Sequence, residues 1–156
     1  MSTKGLYVAV VGSAACTPEI SELAYRVGFE IAKRNAILLC GGRQGVMADA
    51  ARGARDGGGI AVGILPGTSR SEANPYLGIA LPTGLGDARN AVIACAADAV
   101  IAVSGGYGTL SEVALALKKG KPVVVLAFTF PQIPGVYPAK TPREAVELAI
   151  SKAVMK

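Results

Sequence analysis

Residues 99–121, AVIAVSGGYGTLSEVALALKKGK, give the clearest indication of the fold class of this chain. The first five residues, 99–103, are small or β-branched and apolar, which predicts a buried strand of a parallel sheet. A glycine-rich turn follows, and residues 109–112 predict the start of an amphipathic helix with Thr109 as its cap. A strand, a glycine loop and a helix start are the parts from which an open α/β sheet builds an anion site. The first amide groups of the helix and its dipole then face the ligand.

The rest of the chain repeats this alternation. Strands are predicted at residues 7–11, 37–40, 60–65 and 123–128, with a short further candidate at 77–81. Helices are predicted at residues 18–34, from 46 to the glycines 57–59, at 88–97 with Asp87 as cap, and at 142–155 behind a capping box. Residues 129–140 carry three prolines and are predicted to be a loop without regular structure. We therefore predict one Rossmann-like domain over residues 1–156, an α/β doubly wound parallel sheet with helices on both faces.

Ligands of such sheets bind beyond the carboxyl ends of the strands, at the point where the strand order reverses. The loops after the first, second, third and fifth strands lie on that edge. Tyr107 could stack on a ring of a ligand or cover the loop. The residues of these loops that we predict to bind a ligand are Gly12, Ser13, Gly41, Gly42, Arg43, Gly45, Gly105, Gly106, Tyr107, Gly108 and Thr109.

Composition and motifs exclude several classes of function. The chain has no histidine, which removes Ser-His-Asp and Cys-His catalysis and most zinc sites. A single Gly12 follows the first strand instead of G-x-G-x-x-G, and G-x-x-x-x-G-K-[ST] does not occur. The net charge of +5 is scattered rather than arranged in a basic stripe with aromatic residues. We predict no metal site, no cofactor, no nucleic-acid partner and no membrane partner.

The three cysteines are odd in number and far apart, which is typical of free thiols in a reducing compartment. Cys40 and Cys95 lie in apolar runs and are predicted to be buried. The apolar stretch after Lys4 loosely resembles a lipoprotein signal, but a first strand explains it as well. We expect a cytoplasmic protein.

Two ionisable residues are candidates for chemistry, and each has a structural alternative. Glu112 follows Thr109 by three positions, so it could instead complete a capping box. Arg89 lies in the first turn of a helix, where a cation opposes the helix dipole unless an anion is near. Its guanidinium suits a two-pronged hold on a phosphate or carboxylate, and a solvated surface arginine is the alternative. Asn90 could bind the ligand or support the helix start.

These residues resemble a known family. Residues 105–112, GGYGTLSE, resemble the P-G-G-x-G-T-x-x-E motif of the LOG-like ("lysine decarboxylase-like") superfamily. Residues 41–47, GGRQGVM, resemble its G-G-G-x-x-G-x-M loop, and Arg89 with Asn90 resembles its E-R-K segment. The resemblance is collinear over roughly residues 7–126. The spellings R-N and G-G-Y-G-T-L-S-E are similar to those of a short branch that includes molybdenum cofactor carrier proteins.

The resemblance implies a Rossmann-like fold, a homodimer or higher homo-oligomer, and a small phosphorylated ligand. In the LOG enzymes it implies hydrolysis of the N-glycosidic bond of a nucleoside 5′-monophosphate, with Arg89 and Glu112 as the catalytic pair and residues 105–109 on the phosphate. In the carrier branch it implies binding of a pterin phosphate without catalysis. Retained Arg89 and Glu112 favour the hydrolase, which we place slightly ahead of the carrier, and the branch spelling favours the carrier. The paired glycine loops disfavour a third reading, an interaction module with purely structural loops.

Overall fold

A parallel sheet of seven strands forms the centre of the computed structural model, which describes residues 5–155. The predicted domain also includes residues 1–4 and 156, which lie outside the described residues, as does Lys4 of the signal-like stretch. The order across the sheet is β4-β3-β2-β1-β5-β6-β7, and all neighbours are parallel. The strands are β1 (Tyr7–Gly12), β2 (Ile37–Cys40), β3 (Ala61–Leu65), β4 (Ile79–Pro82), β5 (Ala99–Val103), β6 (Val123–Leu126) and β7 (Val136–Ala139).

Five helices cover both faces of this sheet, so the doubly wound α/β fold is confirmed. They are α1 (Pro18–Lys33), α2 (Val46–Asp56), α3 (Arg89–Ala96), α4 (Tyr107–Lys118) and α5 (Pro142–Val154). Side chains of β1 alternate between the faces: Val8 and Val10 pack with α1, α2 and α5, whereas Ala9 and Val11 pack with α3 and α4. Because helices cover both faces, the central strands are apolar on both sides.

The sheet edge at which the strands end carries the loops of interest. Chain order runs outward from β1 to β4 on one side and from β5 to β7 on the other, so the strand order reverses between β1 and β5. β1 and β5 are paired in register from Val8 with Ala99 to Gly12 with Val103. The loop after β1 and the glycine loop after β5 therefore leave the sheet side by side. In open α/β sheets this is where ligands bind.

The prediction that residues 129–140 lack regular structure is wrong, because β7 lies within them. β7 pairs with β6 from Val123 with Val136 to Leu126 with Ala139. It is the outermost strand on its side of the sheet. An edge strand tolerates Pro138 because no further strand needs a hydrogen bond from that position.

Two predictions about α3 are also wrong. Asp87 does not cap it: a 3-10 turn over Gly86–Ala88 leads into the helix, and no side chain caps its first turn. Cys95 is exposed, because α3 buries only Ile93 and Ala94. Cys40 is buried at the end of β2, as predicted.

Within residues 5–155, no helix is both long enough and apolar enough to cross a membrane.

Candidate functional site

A cleft of about 270 Å³ opens at the reversal point between β1 and β5. It collects predicted residues from three distant parts of the chain: the loop after β1, the start of α3 and the start of α4. The lining residues that the sequence predicts are Gly12, Ser13, Arg89, Asn90, Gly106, Gly108, Thr109 and Glu112. The cleft is thus built where the fold and the motifs both place it.

The first turn of α4 has no side-chain cap. α4 begins at Tyr107, and Gly106 is its N-cap. The amide groups of the first turn therefore lack partners within the helix. A side-chain oxygen of Thr17 caps α1 and one of Thr141 caps α5, whereas α2 and α3, like α4, have no side-chain cap. An uncapped, positive helix end on the wall of a cleft is an arrangement that attracts anions.

The predicted capping box of Thr109 and Glu112 is therefore wrong. Thr109 lies inside the helix and is buried, with 3% of its surface exposed. Gly105, which has a φ of 122°, lies directly against it: a Cβ at Gly105 would overlap the Thr109 side chain. The N-cap lies at Gly106, three residues upstream of the predicted Thr109, so Glu112 is free of a capping role.

Gly106 and Gly108 serve a different purpose from Gly105. A Cβ built on either residue would have no atom within 4 Å, so protein packing does not require glycine there. Both residues line the cleft. Because no protein atom requires glycine at these two positions, the absence of a side chain leaves the backbone accessible to a ligand.

Arg89 ties the floor of the cleft together. Its Nη1 donates to the carbonyl of Gly41 at 2.7 Å and to that of Ile64 at 2.9 Å, which join the ends of β2 and β3. Gly41 makes room for this contact, since a Cβ there would overlap Nη1. The Nε of Arg89 is buried and has no hydrogen-bond partner. Arg89 is therefore not a solvated surface arginine.

Glu112 is the second ionisable group in the cleft. It is partly buried, and this burial raises the pKa of Glu112 from its ordinary 4.5 to about 7, although the positive charge of Arg89 acts in the opposite direction. A carboxyl with a pKa near 7 exchanges protons at neutral pH and suits general acid–base chemistry.

The glycine loop after β2, residues 41–45, does not line the cleft but supports a loop that does. Gly42 and Gly45 have φ angles of 78° and 72°, and a Cβ at Gly45 would overlap the backbone of Ser13 and Ala14. The amide of Val46 donates to the Ser13 carbonyl at 3.0 Å. This loop holds the loop after β1 in place. The residues that we predicted to bind a ligand but that do not line the cleft are Gly41, Gly42, Arg43, Gly45, Gly105 and Tyr107, and ligand contact by them stays a prediction.

A family model described as the SLOG cluster4 family matches residues 5–154. The chain belongs to this family. Among solved structures, the SLOG cluster4 chain is similar to the molybdenum cofactor binding protein of Rippkaea orientalis, with a TM-score of 0.89 and 36% identity over 99% of this chain and all of the other. It is also similar to the molybdenum cofactor carrier protein of Chlamydomonas reinhardtii, with a TM-score of 0.88 and 35% identity over 98% of this chain and all of that one.

The SLOG cluster4 chain also matches a probable cytokinin riboside 5′-monophosphate phosphoribohydrolase of Oryza sativa subsp. japonica, LOGL9. The two are 35% identical over 95 residues, which is 59% of this chain and 42% of the rice protein. The chain thus spans less than half of that relative. Membership of the LOG-like superfamily, predicted from the glycine motifs, is confirmed.

Three further residues line the cleft that the sequence analysis did not predict as site residues: Ala14, Met47 and Asp87. Met47 is the last residue of the glycine-loop motif, and that position was the available signal. Asp87 precedes Arg89 by two residues, but its acidic side chain at a predicted helix start favoured a cap. Its place on the cleft wall depends on the 3-10 turn, which no local sequence signal predicted.

Asn90 links α3 and α4 beside the cleft. Its Nδ2 donates to Ser111 Oγ at 3.3 Å, and Ser111 Oγ donates to the Gly108 carbonyl at 2.7 Å. This chain of hydrogen bonds joins the start of α3 to the first turn of α4. Asn90 therefore supports the glycine loop as well as lining the cleft.

Proposed function

We propose that this protein binds a small phosphorylated ligand in the cleft between β1 and β5 and carries it in bound form. The observation that carries the proposal is the uncapped start of α4, where Gly106 and Gly108 leave the backbone open. The full-length likeness to two molybdenum cofactor proteins supports a phosphorylated pterin, the molybdenum cofactor, as the ligand.

The chemistry of the cleft suits a phosphate. The free amides at the start of α4 donate to its oxygens, and the helix dipole favours its charge. Arg89 adds a fixed positive charge, held in place by the carbonyls of Gly41 and Ile64. Its buried Nε lacks a partner, and an acceptor oxygen of a ligand or of an ordered water would satisfy it. Because these donors are fixed before binding, little ordering is needed when the anion enters.

Gly108→Ala is expected to weaken ligand binding without destabilising the fold. Gly108 lies in the first turn of α4 and a Cβ there meets no protein atom, so we expect the free energy of unfolding to rise by roughly 0.5 to 1 kcal/mol. The added methyl group obstructs close approach of a phosphate to the amides. We expect affinity for ribose 5-phosphate to fall at least about tenfold, the cost of losing one charge-assisted hydrogen bond, as measured by isothermal titration calorimetry.

Gly106→Ala is the second variant, because Gly106 has an extended backbone that alanine adopts and also faces open space. Guanosine, which lacks a phosphate, is the ligand control. If both variants bind ribose 5-phosphate as tightly as the wild type, the phosphate does not lie on this turn and the proposal fails.

A second candidate function, hydrolysis of the N-glycosidic bond of nucleoside 5′-monophosphates, is favoured by Glu112. A carboxylate at this place can stabilise the positive charge that develops on the sugar, or accept a proton from the attacking water as the base leaves. Arg89 would orient the substrate. The similarity to LOGL9 supports this chemistry over part of the chain.

Base release distinguishes the two functions. The experiment measures base release from a panel of nucleoside 5′-monophosphates. If the protein is a hydrolase, the wild type releases the base from at least one of them. The rate of that release then falls at least about a hundredfold in Glu112→Gln, which is the order attributed to one acid–base group. The rate of release would also change around pH 7, the pKa of Glu112. We expect no release from the wild type, since we propose a carrier. Release that disappears in the variant would overturn the carrier in favour of the hydrolase, and equal release from both proteins would remove Glu112 from catalysis.

We further propose that the protein acts in the cytoplasm as a homodimer or higher homo-oligomer. The three free cysteines support a reducing compartment. The outer side of α3 exposes Val92 and Ala96, apolar side chains that a second copy could cover.

A further inference from the structure

Three aromatic rings form a continuous cluster beside the cleft. The ring of Tyr107 lies 5.8 Å from that of Phe130, and Phe130 lies 5.6 Å from Phe128, measured between centroids. Both pairs are tilted, an arrangement that aromatic rings favour. We call Tyr107, Phe128 and Phe130 the aromatic shelf. It joins the first turn of α4 to the segment after β6, for which the sequence suggested no role.

Tyr107 is the part of the shelf nearest the cleft. It lies between Gly106 and Gly108, both of which line the cleft. Its side chain is 84% exposed, the highest value among the large apolar residues that the structure describes. A ring of this size is usually covered, because burying an aromatic side chain contributes strongly to stability. The Tyr107 ring packs on Phe130, and most of its surface is exposed to solvent between two residues that line the cleft.

The backbone beneath the shelf is strained at two neighbouring points. Ser104 directly after β5 has a φ of 55°, and Ala127 directly after β6 has a φ of 52°. β5 and β6 are adjacent, and the hydroxyls of Ser104 and Thr129 are 3.3 Å apart. Left-handed backbone at a residue other than glycine costs about 1 kcal/mol or more and is found at ligand-binding sites. Ser104 precedes Tyr107 by three residues and Ala127 directly precedes Phe128, so both turns lead into the shelf.

We propose that the aromatic shelf stacks the planar ring of the ligand whose phosphate occupies the cleft. This inference rests on the proposed phosphate site. The cleft, at about 270 Å³, is smaller than the roughly 300 Å³ at which pockets that bury a whole small molecule begin. A cleft of this size holds a phosphate and its sugar or pyran, so an attached ring system would extend out of it. Gly106 and Gly108 line the cleft on either side of Tyr107 in the chain, so the exposed Tyr107 ring is the nearest aromatic surface offered by that turn. The ligand class is a phosphate ester of a fused heteroaromatic ring, a pterin or a purine, and not a simple sugar phosphate.

Paired titrations test the shelf. GMP serves as the ring-bearing probe, because guanine and pterins share a 2-amino-4-oxopyrimidine ring, and ribose 5-phosphate serves as the ring-free probe. We expect wild type to bind GMP roughly tenfold more tightly than ribose 5-phosphate, as one stacked base contributes. Tyr107→Ala removes this preference and leaves affinity for ribose 5-phosphate within about twofold. Tyr107→Phe keeps the preference, whereas Tyr107→Leu, which is apolar but not planar, loses it.

We expect these substitutions to leave the fold intact, because Tyr107 is exposed. Thermal unfolding of each variant tests this. Phe130→Leu, which removes the support of the Tyr107 ring, should reduce the preference partly. If wild type binds GMP and ribose 5-phosphate equally, or if Tyr107→Ala weakens both alike, the shelf is overturned while the phosphate site stands. If wild type binds neither probe, the phosphate site fails and the shelf fails with it.

Discussion

Glu112→Gln is expected to raise the free energy of unfolding by up to about 3 kcal/mol at pH 8 and by less than about 1 kcal/mol at pH 5. In the folded protein the pKa of Glu112 is about 7, above its ordinary 4.5, because burial penalises the charged carboxylate. The folded state therefore holds this proton more tightly than the unfolded state, and stability falls as the pH rises from about 4.5 to 7. Above pH 7 the folded protein must contain a charged, partly buried carboxylate. Glutamine resembles the protonated form and removes that cost.

Urea unfolding of the wild type and of Glu112→Gln at pH 5, 6, 7 and 8 measures the effect as a difference between the two proteins. Glu19→Gln is the matched control, because Glu19 is an exposed glutamate in the first turn of α1. We expect the control to lose only a few tenths of a kcal/mol through the helix dipole. A Glu112→Gln difference that does not change between pH 5 and pH 8 would contradict the raised pKa.

Arg89→Leu is expected to lower the free energy of unfolding by about 3 kcal/mol and to abolish ligand binding. Leucine fills part of the same space but leaves the carbonyls of Gly41 and Ile64 without the donor that now joins them. Each buried carbonyl left unpaired costs roughly 1 to 3 kcal/mol. The ends of β2 and β3 also lose the link that positions the cleft floor, so the effect on binding exceeds the loss of one charge.

Arg43→Leu is the matched control for Arg89→Leu. Arg43 is an exposed arginine of the neighbouring glycine loop, so its removal lowers the net charge by the same amount without touching the cleft floor. We expect its effect on stability to stay within about 0.5 kcal/mol, as is usual for surface substitutions. Equal destabilisation by the two variants in urea would show that the Arg89 hydrogen bonds do not stabilise the fold.

Local sequence patterns predicted much of the site because its parts are local. The strand before Ser104 is apolar throughout, and the glycines 105, 106 and 108 announce a turn into a helix. Arg89 was marked by the electrostatic conflict of a cation at a helix start. Each of these signals depends on neighbours within a few residues, where propensity and dipole arguments apply.

Other features could not be predicted because they depend on contacts between distant residues. Gly28 and Gly53 allow α1 and α2 to cross closely, since a Cβ at either would overlap a carbonyl of the other helix. β7 forms because β6 offers its edge to residues 136–139, although Pro138 argues locally against a strand. No pattern within one segment contains this information.

Sequence patterns alone were enough to predict the fold class, the sheet edge of the candidate site, and the glycine loop, Arg89 and Glu112 as its candidate residues. What each of these residues contacts follows only from the folded chain. It separated Gly106 and Gly108, which face open space, from Gly41 and Gly45, which make room for other parts of the protein. A glycine pattern shows only that a side chain is missing, because the atoms that would have met that side chain come from strands and loops far away in the chain.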